Sequence, residues 1–394
     1  MSGWRCVFLQ KSTMRIKGKL GMKIVMVTPF PAIQGIISGG VAGVSYYLAE
    51  ALTKIDGISI EVIYPDAPVE HEKTAEFNKV RVHYLPRVRG IGSAARMIFT
   101  GPRAVKQKLE QLNFDIVHVQ GVACWTNFLK CPYVLTIHGI PERDVLFRGR
   151  FTMARSLGIK LVEGWARRKA KNVIVISPYV VQVLAGELKG RVTEIENPVA
   201  DSFFEIENSC ISGRILYGGQ IIPRKNIEGL IRAFSIVHEF RSDAVLRLAG
   251  SGAESDYGRR CKKLVCKLGL EKKVSFLGNL TIVQMQKELS QASCLALCSH
   301  QETAPVIIEE AMAAGVPVVA SNICGIPYMV KNGVTGKVVD PNNYSNMAEG
   351  ILSVLSSENF TNMAQAARCE AENRFRASKV ARRTCELYRN ILKS

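Results

Sequence analysis

The sequence predicts an α/β chain of two units, each built on a parallel sheet, and three observations carry that expectation. Short apolar runs alternate with longer stretches of helical periodicity, the pattern of strands joined by crossover helices. The alternation restarts after a polar stretch, Asp201 to Gly213, which follows a turn at Asn197-Pro198. A length of 394 residues suits two domains of roughly 100 to 200 residues each.

Residues 1–21 carry five basic groups and no secretory-type apolar core. They read as a flexible leader, with Met22 as an alternative start because MKIVMVTPF reads as a first strand. In a first unit of residues 22–200, strands are expected near Ile24 to Thr28, Ile60 to Tyr64, Val80 to Leu85, Ile116 to Gln120, Val134 to His138 and Val173 to Ser177. The glycine-rich run Ser38-Gly39-Gly40-Val41-Ala42-Gly43 follows the first strand and opens a helix over Val44 to Thr53. Glycines there let the backbone approach a phosphate or an acceptor closely; a plain flexible loop is the other reading. His138 ends the fifth strand, as a cleft group or a satisfied strand-end histidine. His118, in mid-strand, reads as structural, and Ser177 as a weaker cleft candidate.

In a second unit of residues 201–378, strands are expected near Ile215 to Gly218, Leu246 to Ala249, Val274 to Leu277, Leu295 to Cys298, Val318 to Ala320 and Lys337 to Val339. The loop Gly218-Gly219-Gln220-Ile221-Ile222-Pro223-Arg224-Lys225-Asn226 follows the first of these and precedes a helix. Arg224 and Lys225 are cations for an anionic ligand there, or an exposed basic pair at a helix start.

Bulk composition narrows the classes. A hydrophobic content of 47% is that of globular protein. The eleven cysteines are scattered without C-x-x-C or a His/Cys cluster, which excludes a zinc knuckle and fits free thiols in a reducing cytosol. No run of 18 or more apolar residues occurs, so no membrane span is expected. The net charge of +18 is uneven: residues 1–200 hold 28 Lys+Arg against 15 Asp+Glu. Arg81 to Lys108 has seven basic residues and no acidic one, and Arg143 to Lys171 has nine against Asp144 and Glu163. Such runs are solvated faces or hold a protein on anionic lipid. Nucleic acid ranks last, because no aromatic residues interleave as a stacking platform.

The segment Ser299 to Ser321, SHQETAPVIIEEAMAAGVPVVAS, is the most informative. Thr303 is a candidate N-cap and Pro305 fits a first helical turn. Glu302 then sits in the loop after a strand and Glu310 in the early turns of a helix, both at the carboxyl edge of a sheet, where open α/β folds bind ligands. Acceptors for sugar hydroxyls are one use for two such acids; complementing the helix dipole is the other. Glu309, about 100° around the helix from Glu310, is expected to be solvated.

This segment resembles the signature of glycosyltransferase family 4: a Glu (Glu302), seven residues, a second Glu (Glu310), then Ala311 to Ala313, Gly315 and Pro317 to Ala320. Other segments follow the family's order from about Met22 to the end. The resemblance implies the α/β GT-B architecture, two Rossmann-like domains facing across a cleft, with the final helix, about Lys379 to Leu392 in a terminal segment 379–394, crossing back onto the first domain. It implies a retaining glycosyltransferase that moves a sugar from a nucleotide-sugar donor to an acceptor hydroxyl, in cell-envelope or exopolysaccharide and glycolipid synthesis in the cytoplasm; the basic first unit adds the expectation of a lipid-linked acceptor at the inner face of the membrane. Lys225 would hold the diphosphate; the family's usual Arg after Gly219 is Gln220 here, so Arg224 would substitute from its neighbouring position. Glu310 would bind the ribose. Glu302, with backbone amides of Ala304, Val306 or Ile307, would address the sugar, and His138 would contact it. Gly39 and Gly40 would form the acceptor or phosphate loop. Relatives often carry Phe-Gly where this chain has Ala304-Pro305, and Glu where it has Tyr328. No metal or other cofactor is implied, and the chain lacks Asp-x-Asp. A nucleotide-sugar epimerase of the same fold and a non-catalytic nucleotide-sugar-binding protein are the alternatives.

Overall fold

The computed structural model describes residues 21–33, 39–147, 149 and 151–394. Residues 1–20 of the expected leader, Ser38 of the glycine loop, and Arg148 and Arg150 of the second basic run lie outside the described residues.

The first sheet contains β1 (Met22–Val27), β2 (Ile58–Ala67), β3 (Lys73–Phe77), β4 (Val80–Pro86), β5 (Ile116–Gln120), β6 (Tyr133–Ile137), β7 (Asn172–Val175) and β8 (Arg191–Glu194), in the order β3-β4-β2-β1-β5-β6-β7-β8. The second contains β9 (Arg214–Gly218), β10 (Val245–Ala249), β11 (Val274–Gly278), β12 (Cys294–Leu297), β13 (Val318–Ser321) and β14 (Gly336–Val339), in the order β11-β10-β9-β12-β13-β14. Every pairing is parallel except β3 on β4. The strands are apolar on both sides because helices cover both faces. On β1, Ile24 and Met26 join a core with Tyr46, Leu48 and Leu52 of the helix Gly40–Thr53. Val25 and Val27 point the other way, into a core with Val117, Leu135, Val173 and Ala166.

The sequence reading missed β3 and β8. Both lie at sheet edges and are short and largely exposed. An edge strand buries little, so KTAEF and RVTE carry no apolar run to reveal them. His138 lies one residue past the end of β6 rather than within it.

The final helix, Ala377–Lys393, packs on the helix Gly40–Thr53 of the first sheet's unit. Its Tyr388 hydroxyl is 2.6 Å from Nδ1 of His118, whose Nε2 is 2.7 Å from the Thr136 hydroxyl. Burial, aided by His138, drops the His118 pKa to about 3, so the ring is a neutral core member. The chain passes between the two units near Val199 and again near Arg376. These two passages are stitched together: Val199 N–H donates to the Phe375 carbonyl at 2.8 Å, and Ala377 N–H to the Val199 carbonyl at 2.9 Å.

Candidate functional site

Each sheet reverses its strand order beside its first strand, between β1 and β5 and between β9 and β12. Open α/β sheets bind ligands at such switch points, and here the two face each other. A cavity of about 510 Å³ lies between them. Gly39, Gly40 and His138 line it from the first sheet's side; Gly219, Arg224, Lys225, Glu302, Ala304, Val306 and Glu310 line it from the second. Ser177 does not line it. Its side chain caps the helix Pro178–Leu184, accepting from the Tyr179 amide at 3.3 Å.

The loop after β9 ends in a turn, Pro223–Lys225, that carries the two cations. The loop after β12 carries Glu302, and the Gly325 amide donates to the Glu302 carbonyl at 3.0 Å, tying that loop to the one after β13. Two glycines permit the approach of these parts. A Cβ on Gly218 would lie 2.6 Å from Cγ1 of Ile307, so the helix could not sit against β9. Gly39 has φ +95°, a conformation that side chains resist, and it starts the helix Gly40–Thr53 without a side-chain cap.

The helix after Glu302 spans Val306–Ala313, with Pro305 in the N-cap position. This corrects the expected start: Thr303 does not cap it, because the residue before a proline is kept out of the α region and Ala304-Pro305 delays the first turn. Proline has no side-chain acceptor, so no side chain caps the first-turn amides. Val306 and Ile307 of that first turn line the cavity with Glu302, and amides at a helix start favour an anion or a sugar oxygen.

Glu302 is buried between two cations. Lys225 Nζ donates to its Oε1, and Arg224 Nη1 lies 3.4 Å from Oε2. Burial alone would raise this carboxyl; Lys225 and Arg224 outweigh it and hold the group below the usual carboxylate range. Arg224 also donates to the Gln301 carbonyl and lies 4.0 Å from Asp144, across the cavity. Glu310 is in a different state. Burial raises its pKa to about 7, opposed by a 3.1 Å hydrogen bond from the Tyr47 hydroxyl. The two acids are therefore unequal: Glu302 is ionised, and Glu310 titrates near neutrality.

Glu309 is not solvated, as its helix position had implied. It is 1% exposed, and Asn197 Nδ2 lies 3.4 Å from its Oε1. Burial pushes its carboxyl well above the ordinary range, with Glu310 adding to the effect and Asn197 opposing it. The helix packs on the helix Ser357–Arg374 and on β12 and β13; Glu310 lines the cavity while Glu309 meets Asn197 in the interior. His138 Nε2 is 2.8 Å from Gln120 Oε1. Burial drops its pKa to about 4, with Asn197 opposing, so the imidazole is neutral at pH 7.

Sequence reasoning missed Tyr47, Asp144 and Asn197, all of which line the cavity. Tyr47 is hidden in an apolar helix, where a tyrosine reads as core. Asp144 is hidden in a basic run, and Asn197 in a dipeptide that reads only as a turn. Asn197 spans the two units through the Ala304 carbonyl, at 3.2 Å.

Residues 38–203 match the family described as Glycosyltransferase Family 4, and residues 211–374 match that described as Glycosyl transferases group 1. An uncharacterized glycosyltransferase of Methanocaldococcus jannaschii is 28% identical over 401 residues, covering 93% of this chain and 98% of that protein. Sucrose-phosphate synthase from Thermosynechococcus elongatus superposes with a TM-score of 0.80 at 20% identity, covering 94% of this chain and 99% of that one. Anabaena HepE, solved in complex with UDP-glucose, superposes with a TM-score of 0.67 at 18% identity, covering 94% and 100%. These structures share the GT-B architecture of two parallel-sheet units around a cleft. By motif and by the two family matches, which together run from residue 38 to residue 374, the chain belongs to glycosyltransferase family 4 and is a glycosyltransferase.

Proposed function

We propose that the chain transfers a hexosyl group from a nucleotide sugar to an acceptor hydroxyl with retention at the anomeric carbon, without a divalent metal. The carrying observation is Glu302, held ionised between Lys225 and Arg224 at the mouth of uncapped helix amides. Lys225 and Arg224 are shared with Glu302 and, for Arg224, Asp144, so a diphosphate would take the cations over from these carboxylates, with the helix amides adding to its hold. Glu310 would accept both ribose hydroxyls. Glu302 and the neutral His138 would address the sugar, with amides of Val306 and Ile307. That HepE is solved with UDP-glucose supports a nucleotide-sugar donor.

In this reading the bond from the anomeric carbon to the leaving phosphate oxygen breaks, and the acceptor oxygen bonds on the same face. The acceptor proton passes to the departing diphosphate. Glu302 stabilises positive charge developing on the sugar, and closure of the two units would exclude water. Residues 22–200, with 379–394 packed back, would form the acceptor side and residues 201–378 the donor side. We assign the activity to cell-envelope, exopolysaccharide or glycolipid synthesis on a lipid-linked acceptor at the cytoplasmic face of a membrane. The basic first unit supports that place, as do the free thiols among the described residues. No helix among those residues is long and apolar enough to cross a membrane.

The test is a panel of nucleotide sugars, read first by thermal stabilisation. A ligand at 100 times its dissociation constant adds about 2.7 kcal/mol. The stabilising donor is then incubated with candidate acceptors, and the product's anomeric configuration is read by NMR. An inverted product, or turnover abolished by a chelator, would overturn the mechanism; product formed without acceptor would mark an epimerase.

A further inference from the structure

The helix Thr152–Lys169 has two unlike faces. Its inner face is pinned by buried charge. Glu163 accepts from the amides of Ala123 and Cys124 at 3.0 and 3.3 Å, and Arg167 pairs with Glu142 at 2.9 Å and Glu187 at 3.1 Å. Its outer face is apolar. Met153, Leu157, Leu161 and Trp165 are 81%, 59%, 65% and 47% exposed, and Phe151 just before the helix is 83% exposed. Residues four apart drift about 40° around a helix, so from Met153 to Trp165 these side chains form a stripe that winds about 120° around it. A soluble surface rarely leaves such a stripe bare without a partner.

The charge beside the stripe has a single sign. Lys160, Arg168 and Lys169 are exposed, and Lys169 Nζ stands 3.4 Å from the centre of the Trp165 ring. The one acidic residue of the helix, Glu163, is buried on the inner face. The stripe also continues toward the cleft. The turn Val145–Phe147, with Leu146 and Phe147 exposed, packs against this helix and follows Asp144, which lines the cavity.

We infer that this face docks the protein on an anionic lipid bilayer, with the aliphatic and indole side chains in the interface and the basic groups against headgroup phosphates. Apolar residues on one helix face, an interfacial Trp and flanking Lys and Arg are what such a surface selects. A second copy fits less well, because a twofold contact would set these cations against their own counterparts. The inference deepens the membrane element of the proposed function, and it is independent of the transfer chemistry because docking is measured without donor.

The full chain is sedimented with vesicles of phosphatidylcholine alone and with added phosphatidylglycerol, at low and high salt. Binding to the phosphatidylglycerol vesicles is expected, weakened several-fold by salt. The double variant Leu157→Glu/Leu161→Glu should lower it by on the order of tenfold or more, with melting temperature and nucleoside diphosphate binding unchanged. Phe240→Glu, at an exposed site on the second unit, should leave binding as it was. If the double variant fails to fold, Lys160→Glu/Arg168→Glu carries the same test through the electrostatic half. The inference is overturned by absent binding at low salt, by binding that the stripe variants do not weaken beyond Phe240→Glu, or by self-association in sedimentation velocity that the variants abolish in place of vesicle binding. Transfer to a water-soluble acceptor without vesicle binding would sink the docking surface and leave the enzyme reading intact.

Discussion

Replacing Glu302 by Gln should separate two roles that a simple loss of activity would confuse. Lys225 is committed to Glu302 and Arg224 is close to it, so a diphosphate must compete with a carboxylate for both cations. The substituted amide would keep the shape and remove the competitor. A unit charge about 4 Å away contributes about 4 kcal/mol at an effective dielectric of about 20. Part of that is returned when the buried pair is broken, so a net gain of about 1–2 kcal/mol is expected for a sugar-free nucleoside diphosphate, roughly five- to thirtyfold tighter binding. Lys225→Ala should do the opposite, losing a charge-assisted bond of about 1.5–3 kcal/mol, or roughly ten- to a hundredfold in affinity. Glycosyl transfer should fall about a hundredfold or more in both variants, since Glu302 also stabilises the developing charge. Titration calorimetry with the best-binding nucleoside diphosphate decides the matter. If Glu302→Gln weakens its binding as much as Lys225→Ala does, the cations do not serve the diphosphate and the site assignment fails.

Other outcomes follow from single contacts. The Glu310 carboxyl, raised from 4.5 to about 7 by burial, binds a proton in the folded state where the unfolded chain has lost it. Stability should therefore fall as pH rises from about 4.5 to about 7, by up to about 3 kcal/mol, less where cleft water screens it. Glu310→Gln should flatten that slope in thermal melts, while nucleotide binding by the wild type should strengthen as Glu310 ionises. Gly218→Ala places a methyl on Ile307 and should cost about 1–3 kcal/mol in denaturant unfolding, with weaker donor binding. Arg167→Met strands Glu142 and Glu187 as buried partners; a loss of about 3–5 kcal/mol is expected, and an unchanged midpoint would show the triad to be unimportant.

The sheets were legible wherever strands are buried on both sides, because parallel strands under two helical layers read as unbroken apolar runs. The edge strands β3 and β8 were not, since an edge has no such run to show. At the site, the residues placed by spacing within a motif, Glu302, Glu310 and Lys225, come together on one cavity wall. Tyr47 and Asn197 reach that wall from the other unit, and no local pattern encodes a contact across 263 or 112 residues of sequence. Glu309 shows the limit of helical periodicity, which gives the angle between two side chains but not what packs against each.

The stitched passages at Val199 and Arg376 have a mechanical consequence. Two lobes joined by one strand of chain can twist, slide and swing; joined at two adjacent points bonded to each other, they keep mainly the swing. The lobes should therefore open and shut like a book about its spine, so that Tyr47 meets the same carboxylate at every closing.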